Sequence, residues 1–312
     1  MVIGMKQIEK DSVFISSTGR TGTQFFGKFL SKQINNCYSV HEPAAVWITR
    51  PREWYKKRKI FGLFRATIGQ FFPSTSMFKL SADRATGRID DDKAREYVYK
   101  QRKDYVENIR EPLYVESSTH IFGVIDLIAE VFPNSNFIFV IRDPRTWIRS
   151  AYNAFEYLLY SVLDFRFFEA SVRAIDFPND PYYFEWKHMS KFEKYCWYYN
   201  FLNSYVIDKM KDKTNFKVFR FEDLFHNKNR KGYFDEMLHF ATNINHSQNY
   251  KYSLEENMLD NKVHSRSKKG LLGHWKTWGE DKIKIIQKHC KRWFDEYNYG
   301  KEPNWGTDYR EE

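Results

Sequence analysis

The sequence lacks the features that would place a protein in a membrane or outside the cell. Its 312 residues contain no run of about 18 or more apolar residues, so no membrane span is predicted. The opening residues, MVIGMK, lack the apolar core of a signal peptide. Only three cysteines occur (Cys37, Cys196 and Cys290), and their spacing fits no metal site. We therefore predict a cytoplasmic protein whose thiols are buried or idle.

The chain also lacks an excess of acidic residues, and its formal net charge is +10. This balance suits anionic ligands, and it equally suits general attraction to nucleic acid. Aromatic residues make up 19% of the chain, so many must lie in a core or line a pocket. Because no repeat, low-complexity segment or linker interrupts the sequence, we predict one domain over residues 1–312.

Residues 13–30 (VFISSTGRTGTQFFGKFL) predict an anion-binding turn. An apolar strand runs into a turn with two glycines, and Phe and Leu then recur at helical spacing. The glycines let the backbone approach a ligand closely, and the amides of a helix start favour negative charge. Arg20 adds a permanent cation, and Thr21 and Thr23 add hydroxyl donors. We predict that this turn holds a phosphate-like group; a turn that binds nothing is the alternative.

The same turn lacks what a Walker A loop requires. That motif has four residues between its glycines, followed by Lys and then Ser or Thr. Here only Arg20 and Thr21 separate Gly19 from Gly22, and no Lys follows. The part of a nucleotide hydrolase that binds Mg²⁺ is therefore missing.

Glu42 is a candidate acid–base residue at the same edge of the predicted sheet. It follows a short strand at residues 37–40, and Pro43 then stops regular structure. Ligands of open parallel sheets bind beyond the carboxyl ends of the strands, so Glu42 is expected near the predicted phosphate turn. Two roles stay open for it: a general base, or a salt bridge to Arg20 or another cation.

A second strand delivers an arginine to this edge. Residues 137–141 are apolar at every position, as in a central parallel strand. Arg142 follows directly, and the next helix carries Ser150 eight residues further on, about two helical turns away. We predict a second anion site here; the alternative is a structural pair between Arg142 and Asp143.

Three other segments interrupt this strand–turn–helix pattern. Residues 50–59 alternate cations with aromatics, which indicates a solvated helix face, or a surface for nucleic acid or an anionic acceptor. Residues 62–76 are predicted to form a loop or flap. The aromatic-rich insertion at about 151–190 is predicted to cap a pocket for the acceptor.

Four segments, in this order along the chain, resemble the motifs of sulfotransferases that use 3′-phosphoadenosine 5′-phosphosulfate (PAPS). Residues 17–23 resemble the loop for the 5′-phosphosulfate. Residues 139–150 resemble the 3′-phosphate motif, including its Arg-to-Ser spacing. Residues 219–224 resemble the Tyr-Glu-Asp strand end, and residues 268–276 resemble the loop Arg-Lys-Gly-x-x-Gly-Asp-Trp-Lys. Together the four cover most of the chain.

The match departs from the family pattern at a few positions. The family often has Lys where Arg20 stands, although many bacterial members have Arg. Phe221 replaces the Tyr of the strand end, while Lys268 and His274 replace Arg and Asp in the last loop.

The resemblance implies how these segments would divide the nucleotide between them. The 5′-phosphosulfate would be held by Arg20, Thr21, Gly22, Thr23 and Gln24. The 3′-phosphate would be held by Arg142, Ser150, Lys268, Lys269 and Gly270. Adenine would lie against Phe25 and Tyr198. No metal is implied.

The family pattern leaves the general base open. Some members use a His in a Lys-Thr-His segment after a strand, which His120 matches, although Ser118 stands in place of the Lys. Other members use a Glu shortly after the second strand, where Glu42 stands. His120 has a suitable ordinary pKa, whereas Glu42 would need burial to raise its pKa. His41 is a third choice, and a core or capping role for His120 is the alternative to catalysis.

The sequence thus predicts an α/β fold of three layers around a central, mostly parallel sheet, of the P-loop nucleotide-hydrolase-like sulfotransferase type. The predicted reaction moves a sulfuryl group from PAPS to a hydroxyl or amine of a small molecule or carbohydrate and releases adenosine 3′,5′-bisphosphate. Arg20 would stabilise the leaving phosphate. Two other classes stay open: a P-loop kinase-like phosphotransferase, and a non-catalytic nucleic-acid-binding protein.

Overall fold

A computed structural model describes residues 6–45, 51–154, 171–244, 248–255, 259, 271–302 and 305. Its centre is a sheet of five strands in the order β2-β3-β1-β4-β5, and every neighbouring pair is parallel. The strands are β1 (Asp11–Ser17), β2 (Cys37–His41), β3 (Leu113–Ser117), β4 (Ser135–Ile141) and β5 (Phe216–Arg220). A small antiparallel pair joins β6 (Asn243–Ile244) to β7 (Gln248–Asn249).

Helices cover both faces of the sheet. They are α1 (Thr23–Gln33), α2 (Pro51–Ala66), α3 (Met77–Ala85), α4 (Asp91–Glu107), α5 (Ile125–Val131), α6 (Pro144–Tyr152), α7 (Lys191–Met210), α8 (Phe221–Phe225), α9 (Arg230–Thr242) and α10 (Glu280–Glu296). Short 3₁₀ turns occupy Ile68–Phe71, Ala174–Asp176 and Trp275–Thr277.

Two apolar cores follow from the alternation of side chains along the central strands. Phe14 of β1 belongs to the core that packs against α4, α5 and α7, whereas Val13 and Ile15 belong to the core that packs against α1 and α9. β4 is buried at all seven positions because helices cover both of its faces. The predicted three-layer α/β fold with a central parallel sheet is therefore confirmed.

The register brings the carboxyl ends of the strands to one edge. Ile15 pairs with Ser117, His41 pairs with the same Ser117, and Ile141 pairs with Arg220. Gly27 lets α1 approach β2 closely, since a Cβ there would lie 2.5 Å from the backbone nitrogen of His41. The turns that follow the five strands therefore share one surface.

Local patterns located several elements well and one poorly. The apolar spacing of residues 125–131 predicts an amphipathic helix, and α5 has those bounds. The polar residues 90–110 predict another helix, which runs from Asp91 to Glu107. The loop predicted at 62–76 is wrong in its first half, because α2 continues to Ala66 through a kink at Gly62 and a 3₁₀ turn follows. Within the described ranges, no helix is both long and apolar enough to cross a membrane.

Candidate active site

The turn after β1 adopts a conformation that few residues tolerate. Gly19, Arg20 and Gly22 all have positive φ, at 81°, 57° and 79°. A Cβ on Gly22 would also lie 2.9 Å from Cζ of Phe225. Glycine is therefore required at residue 22 for two reasons, backbone conformation and space.

Side chains fix the shape of this turn. The Ser17 hydroxyl accepts hydrogen bonds from the Gly19 amide (3.0 Å) and from the Thr21 hydroxyl (2.6 Å). From the other side, Trp147 Nε1 donates to the Gly19 carbonyl over 2.9 Å. The turn leads directly into α1, whose first amides lack partners within the helix. The turn is therefore held in one shape at the start of α1, and its binding of an anion stays a prediction.

We expect Gly22→Ala to lower the free energy of unfolding by about 1–3 kcal/mol. The positive φ of residue 22 is unfavourable for alanine, and the added Cβ would lie 2.9 Å from Cζ of Phe225. Chemical denaturation measures the effect. The matched control is Gly87→Ala, where φ is also positive (71°) but the added Cβ meets nothing within 4 Å. Equal losses in the two variants would show that crowding at Gly22 contributes nothing.

The structure brings the two predicted phosphate sites into contact. Arg142 Nη1 donates a hydrogen bond to the Arg20 carbonyl, and Arg20 Nε donates to the Ser150 hydroxyl over 3.0 Å. Arg142 Nε donates to Thr146 Oγ1, also over 3.0 Å, and its guanidinium lies 4.5 Å from the ring centre of Phe221. Arg20, Arg142 and Ser150 therefore form one cationic cluster on one edge of the sheet.

Arg142 does not form an ion pair with Asp143, which was the structural alternative to an anion site. Asp143 instead binds Arg145, with 2.6 Å between Oδ2 and Nη2. No carboxylate of the described residues lies within 4 Å of the Arg142 guanidinium. Burial, together with the nearby charge of Arg20, lowers the pKa of Arg142. A bound anion would offset both the loss of hydration and the repulsion between the two arginines.

Sequence reasoning missed the network that supports this cluster. The fully buried Arg145 forms a bidentate pair with Glu302 (2.7 Å for each hydrogen bond) and stacks 4.4 Å from the ring centre of Trp275. Glu222 accepts hydrogen bonds from the Asp143 amide and from the Tyr299 hydroxyl. Burial raises the pKa of Glu222. The available signal was a second arginine, Arg145, three residues after Arg142 in the same motif.

The predicted adenine contacts lie in different cores. Phe25 is buried 5.4 Å from Phe225, ring centre to ring centre, in the core against α1 and α9. Tyr198 is buried in the opposite core, 6.5 Å from Trp147, and burial raises its pKa. Gln24 and Thr23 open α1 as expected. Lys268, Lys269 and Gly270 lie outside the described residues, as do residues 155–170 of the insertion.

The two base candidates lie side by side. Oε1 of Glu42 is 3.7 Å from Nε2 of His120 and accepts a hydrogen bond from the Thr119 hydroxyl over 2.8 Å. Oε2 of Glu42 is 3.6 Å from Nε2 of His41, whose Nδ1 lies 3.1 Å from the Ser117 carbonyl. The alternative salt bridge between Glu42 and Arg20 is not formed. Because β2 and β3 are neighbours, their turns place these residues together.

Burial and charge leave both members of the pair deprotonated near neutral pH. Burial opposes ionisation of Glu42, but His120, His41, the Thr119 hydrogen bond and Lys57 outweigh it and lower the pKa of Glu42 to about 2. Burial lowers the pKa of His120, and the Glu42 carboxylate only partly offsets this effect. Near neutral pH the pair is thus a carboxylate beside a neutral imidazole that can accept a proton.

His120 lines a cleft on the β2–β3 side of the sheet edge. Its ring stacks on Phe78 with 4.8 Å between ring centres, and its carbonyl accepts a hydrogen bond from Ser81. The cleft is lined by Glu42, Ala44, Ala45, Gln70, Ser76, Met77, Phe78, Arg102, Ser118 and His120. The described residues hold no cluster of His, Cys, Asp and Glu suited to a metal ion.

Comparison with known proteins agrees with this arrangement. The sequence model described as "Sulfotransferase family" matches residues 12–225. The chain therefore belongs to the sulfotransferase family, and it is a sulfotransferase rather than a kinase. No curated protein matches it significantly.

Two solved structures are similar to the chain. The sulfotransferase domain from the curacin biosynthetic pathway matches 81% of this chain and 77% of its own, with 13% identity and a TM-score of 0.44. A sulfotransferase from Alicyclobacillus acidocaldarius matches 90% of this chain and 96% of its own, with 11% identity and a TM-score of 0.37. Likeness this weak adds nothing to the family assignment.

Proposed function

We propose that this sulfotransferase uses PAPS as its donor and sulfates a hydroxyl or amine of a small-molecule or carbohydrate acceptor. The observation that carries the proposal is the cluster of Arg20, Arg142 and Ser150, in a chain of this family. When bound, PAPS supplies the sulfuryl group, and adenosine 3′,5′-bisphosphate is the leaving group.

The residues present fit such a donor. Two guanidinium groups lie close together, and Arg142 has no carboxylate within 4 Å among the described residues to neutralise it. The turn that carries Arg20 adds the amides at the start of α1. Arg20, Thr21, Gly22, Thr23 and Gln24 would hold the 5′-phosphosulfate. Arg142 and Ser150 would hold the 3′-phosphate, together with Lys268, Lys269 and Gly270. Because Phe25 and Tyr198 are buried in opposite cores, only one of the two would lie near adenine.

The strand order supports a site with the donor on one side and the acceptor on the other. Arg142 follows β4 on one side of β1, whereas Glu42 and His120 follow β2 and β3 on the other side. The turn with Arg20 lies between them. An acceptor in the cleft beside His120 would therefore approach the transferred group from the side of the Arg20 turn that faces away from the 3′-phosphate residues. In-line transfer requires its oxygen to attack the sulfur opposite the bond to the 5′-phosphate oxygen, which breaks.

We propose that His120 and Glu42 work as a pair. His120 takes the proton of the acceptor hydroxyl because its imidazole is neutral near pH 7. Glu42, ionised and 3.7 Å away, stabilises the imidazolium that forms. Arg20 stabilises the negative charge that develops on the leaving phosphate. The two base candidates of the sequence thus become partners.

The test uses the full chain with labelled PAPS and a panel of sterols, phenols and sugars, alongside calorimetry with adenosine 3′,5′-bisphosphate. We expect tight, salt-sensitive binding of the bisphosphate and transfer to at least one acceptor. Absence of both binding and transfer would overturn the proposal.

A further inference from the structure

A buried ion pair forms one wall of the cleft beside His120. Arg102 of α4 and Glu116 of β3 are 2% and 0% exposed. Arg102 Nε donates to Oε2 of Glu116 over 2.8 Å, and Nη2 donates to Oε1 over 2.7 Å. The Tyr114 hydroxyl also donates to Oε2. Glu116 therefore matches the charge of Arg102 and uses two of its nitrogens.

Glu116 does not accept a hydrogen bond from the third nitrogen of this guanidinium, Nη1. Arg102 Nη1 is buried and has no hydrogen-bond partner among the described residues, while Arg102 lines the cleft together with Glu42 and His120. A buried donor without an acceptor costs free energy, so such groups are nearly always satisfied. An oxygen that enters the cleft would satisfy it.

We propose that Arg102 Nη1 binds a second oxygen atom of the acceptor, next to the hydroxyl that is sulfated. This inference rests on the proposed function. The acceptor is then a small, uncharged molecule with at least two oxygens, such as a diol or a hydroxyketone. Glu116 already balances Arg102, and the ionised Glu42 in the same cleft disfavours a carboxylate.

The lining of the cleft agrees with this class of acceptor. As it stands the cleft has room for about one water molecule, about 10 Å³, so an acceptor has to displace part of the lining to enter. Ala44, Ala45 and Met77 supply apolar walls, while Gln70 and Ser76 add polar groups. A bound molecule would thus contact apolar surface between its two oxygens.

Calorimetry on the complex with adenosine 3′,5′-bisphosphate tests the inference without requiring turnover. The probes are hydroxyacetone and the cyclohexanediol isomers, each compared with cyclohexanol. We expect at least one two-oxygen probe to bind about 10- to 100-fold more tightly than cyclohexanol. In Arg102→Lys, which keeps a cation for Glu116 but lacks the guanidinium fork, this ratio is expected to fall towards one.

Arg84→Lys is the matched control, because Arg84 is a buried arginine paired with Asp126 but lies outside the cleft lining. It should preserve the ratio. Equal binding of all probes by the unmodified enzyme would overturn the inference and would indicate that water satisfies Nη1. An unchanged ratio in Arg102→Lys would also overturn it. Failure of the bisphosphate itself to bind would instead count against the proposed function.

A separate observation concerns the surface of α2 and the turn after it. Of the eight large apolar side chains that are exposed in the described part of the chain, six lie here: Tyr55, Ile60, Leu63, Phe64, Ile68 and Phe72. Exposed cations Arg52, Lys56, Arg58 and Lys59 share the segment. A concentration of exposed apolar side chains marks an interaction site.

We propose that this surface, residues 52–72, binds an anionic lipid membrane. Aliphatic side chains beside cations match the acyl chains and headgroups of such a bilayer, whereas a nucleic acid offers nothing for Ile60, Leu63 and Ile68. The segment also borders the cleft, since Lys57 Nζ donates to the Glu42 carbonyl over 2.8 Å and Gln70 is part of the lining. Acceptors dissolved in the membrane would reach the site directly.

Co-sedimentation of the full chain with vesicles tests this surface. We expect binding to phosphatidylcholine vesicles that contain phosphatidylglycerol, and much weaker binding to phosphatidylcholine alone. The double variant Ile60→Ser/Leu63→Ser is expected to weaken binding by about tenfold or more. Phe184→Ser is the control, because Phe184 is 86% exposed but lies elsewhere. Absent vesicle binding, or equal losses in the variant and its control, would overturn the proposal in favour of another partner.

Discussion

Arg142→Ala is expected to weaken the binding of adenosine 3′,5′-bisphosphate by about 100-fold. The substitution removes the proposed charge-assisted contact to a phosphate and also the hydrogen bond from Arg142 to the Arg20 carbonyl. Calorimetry at fixed ionic strength measures the change. Arg142→Lys should recover part of the affinity, since it keeps the charge but not the paired donors.

Arg95→Ala is the charge-matched control for this experiment. Arg95 lies on α4 and pairs with Asp92 and Glu130, away from the cluster. Its loss should change the affinity less than twofold, because exposed charges at a distance are screened. Bisphosphate binding by Arg142→Ala at the strength of the unmodified enzyme would remove Arg142 from the nucleotide site.

His120→Ala is expected to lower kcat by about 10²- to 10⁴-fold and to leave bisphosphate affinity unchanged. The reason is that His120 is the proposed base and lies on the acceptor side of β1. Steady-state kinetics and calorimetry separate the two quantities. His188→Ala, at an exposed histidine, controls for general effects of losing an imidazole.

The pH dependence of kcat/KM in Glu42→Gln distinguishes the two candidates for the general base. The Glu42 carboxylate raises the pKa of His120, which burial lowers. Removing that charge lowers the pKa of His120 further, so the acidic limb of kcat/KM should move to lower pH, with activity retained. If Glu42 is itself the base, Glu42→Gln abolishes activity and His120→Ala does not.

Much of this site could be predicted from local patterns. A strand that ends in a polar turn can be recognised from its own residues, and in a parallel sheet all such turns lie on one edge. Arg20 and Arg142 were placed correctly for that reason. The helix at residues 125–131 was equally clear, because its apolar spacing and its turn lie within one short segment.

Strand order could not be predicted in this way. The neighbours β2 and β3 are more than 70 residues apart in sequence, and nothing local states that Glu42 and His120 meet. The pair of Arg102 and Glu116 joins a helix to a strand, and only the folded chain shows it. An isolated Glu in the buried strand LYVES indicates that a cation must be near, but not which one.

The strand order has a consequence for how such an enzyme can diversify. The residues proposed to recognise the nucleotide follow β1 and β4, while the cleft is built from the segments after β2 and β3 and from α3 and α4. Mutations on the β2–β3 half can thus exchange one acceptor for another while the nucleotide machinery stays intact. Swapping residues 42–45 and 70–78 between relatives is therefore a rational route to new specificities.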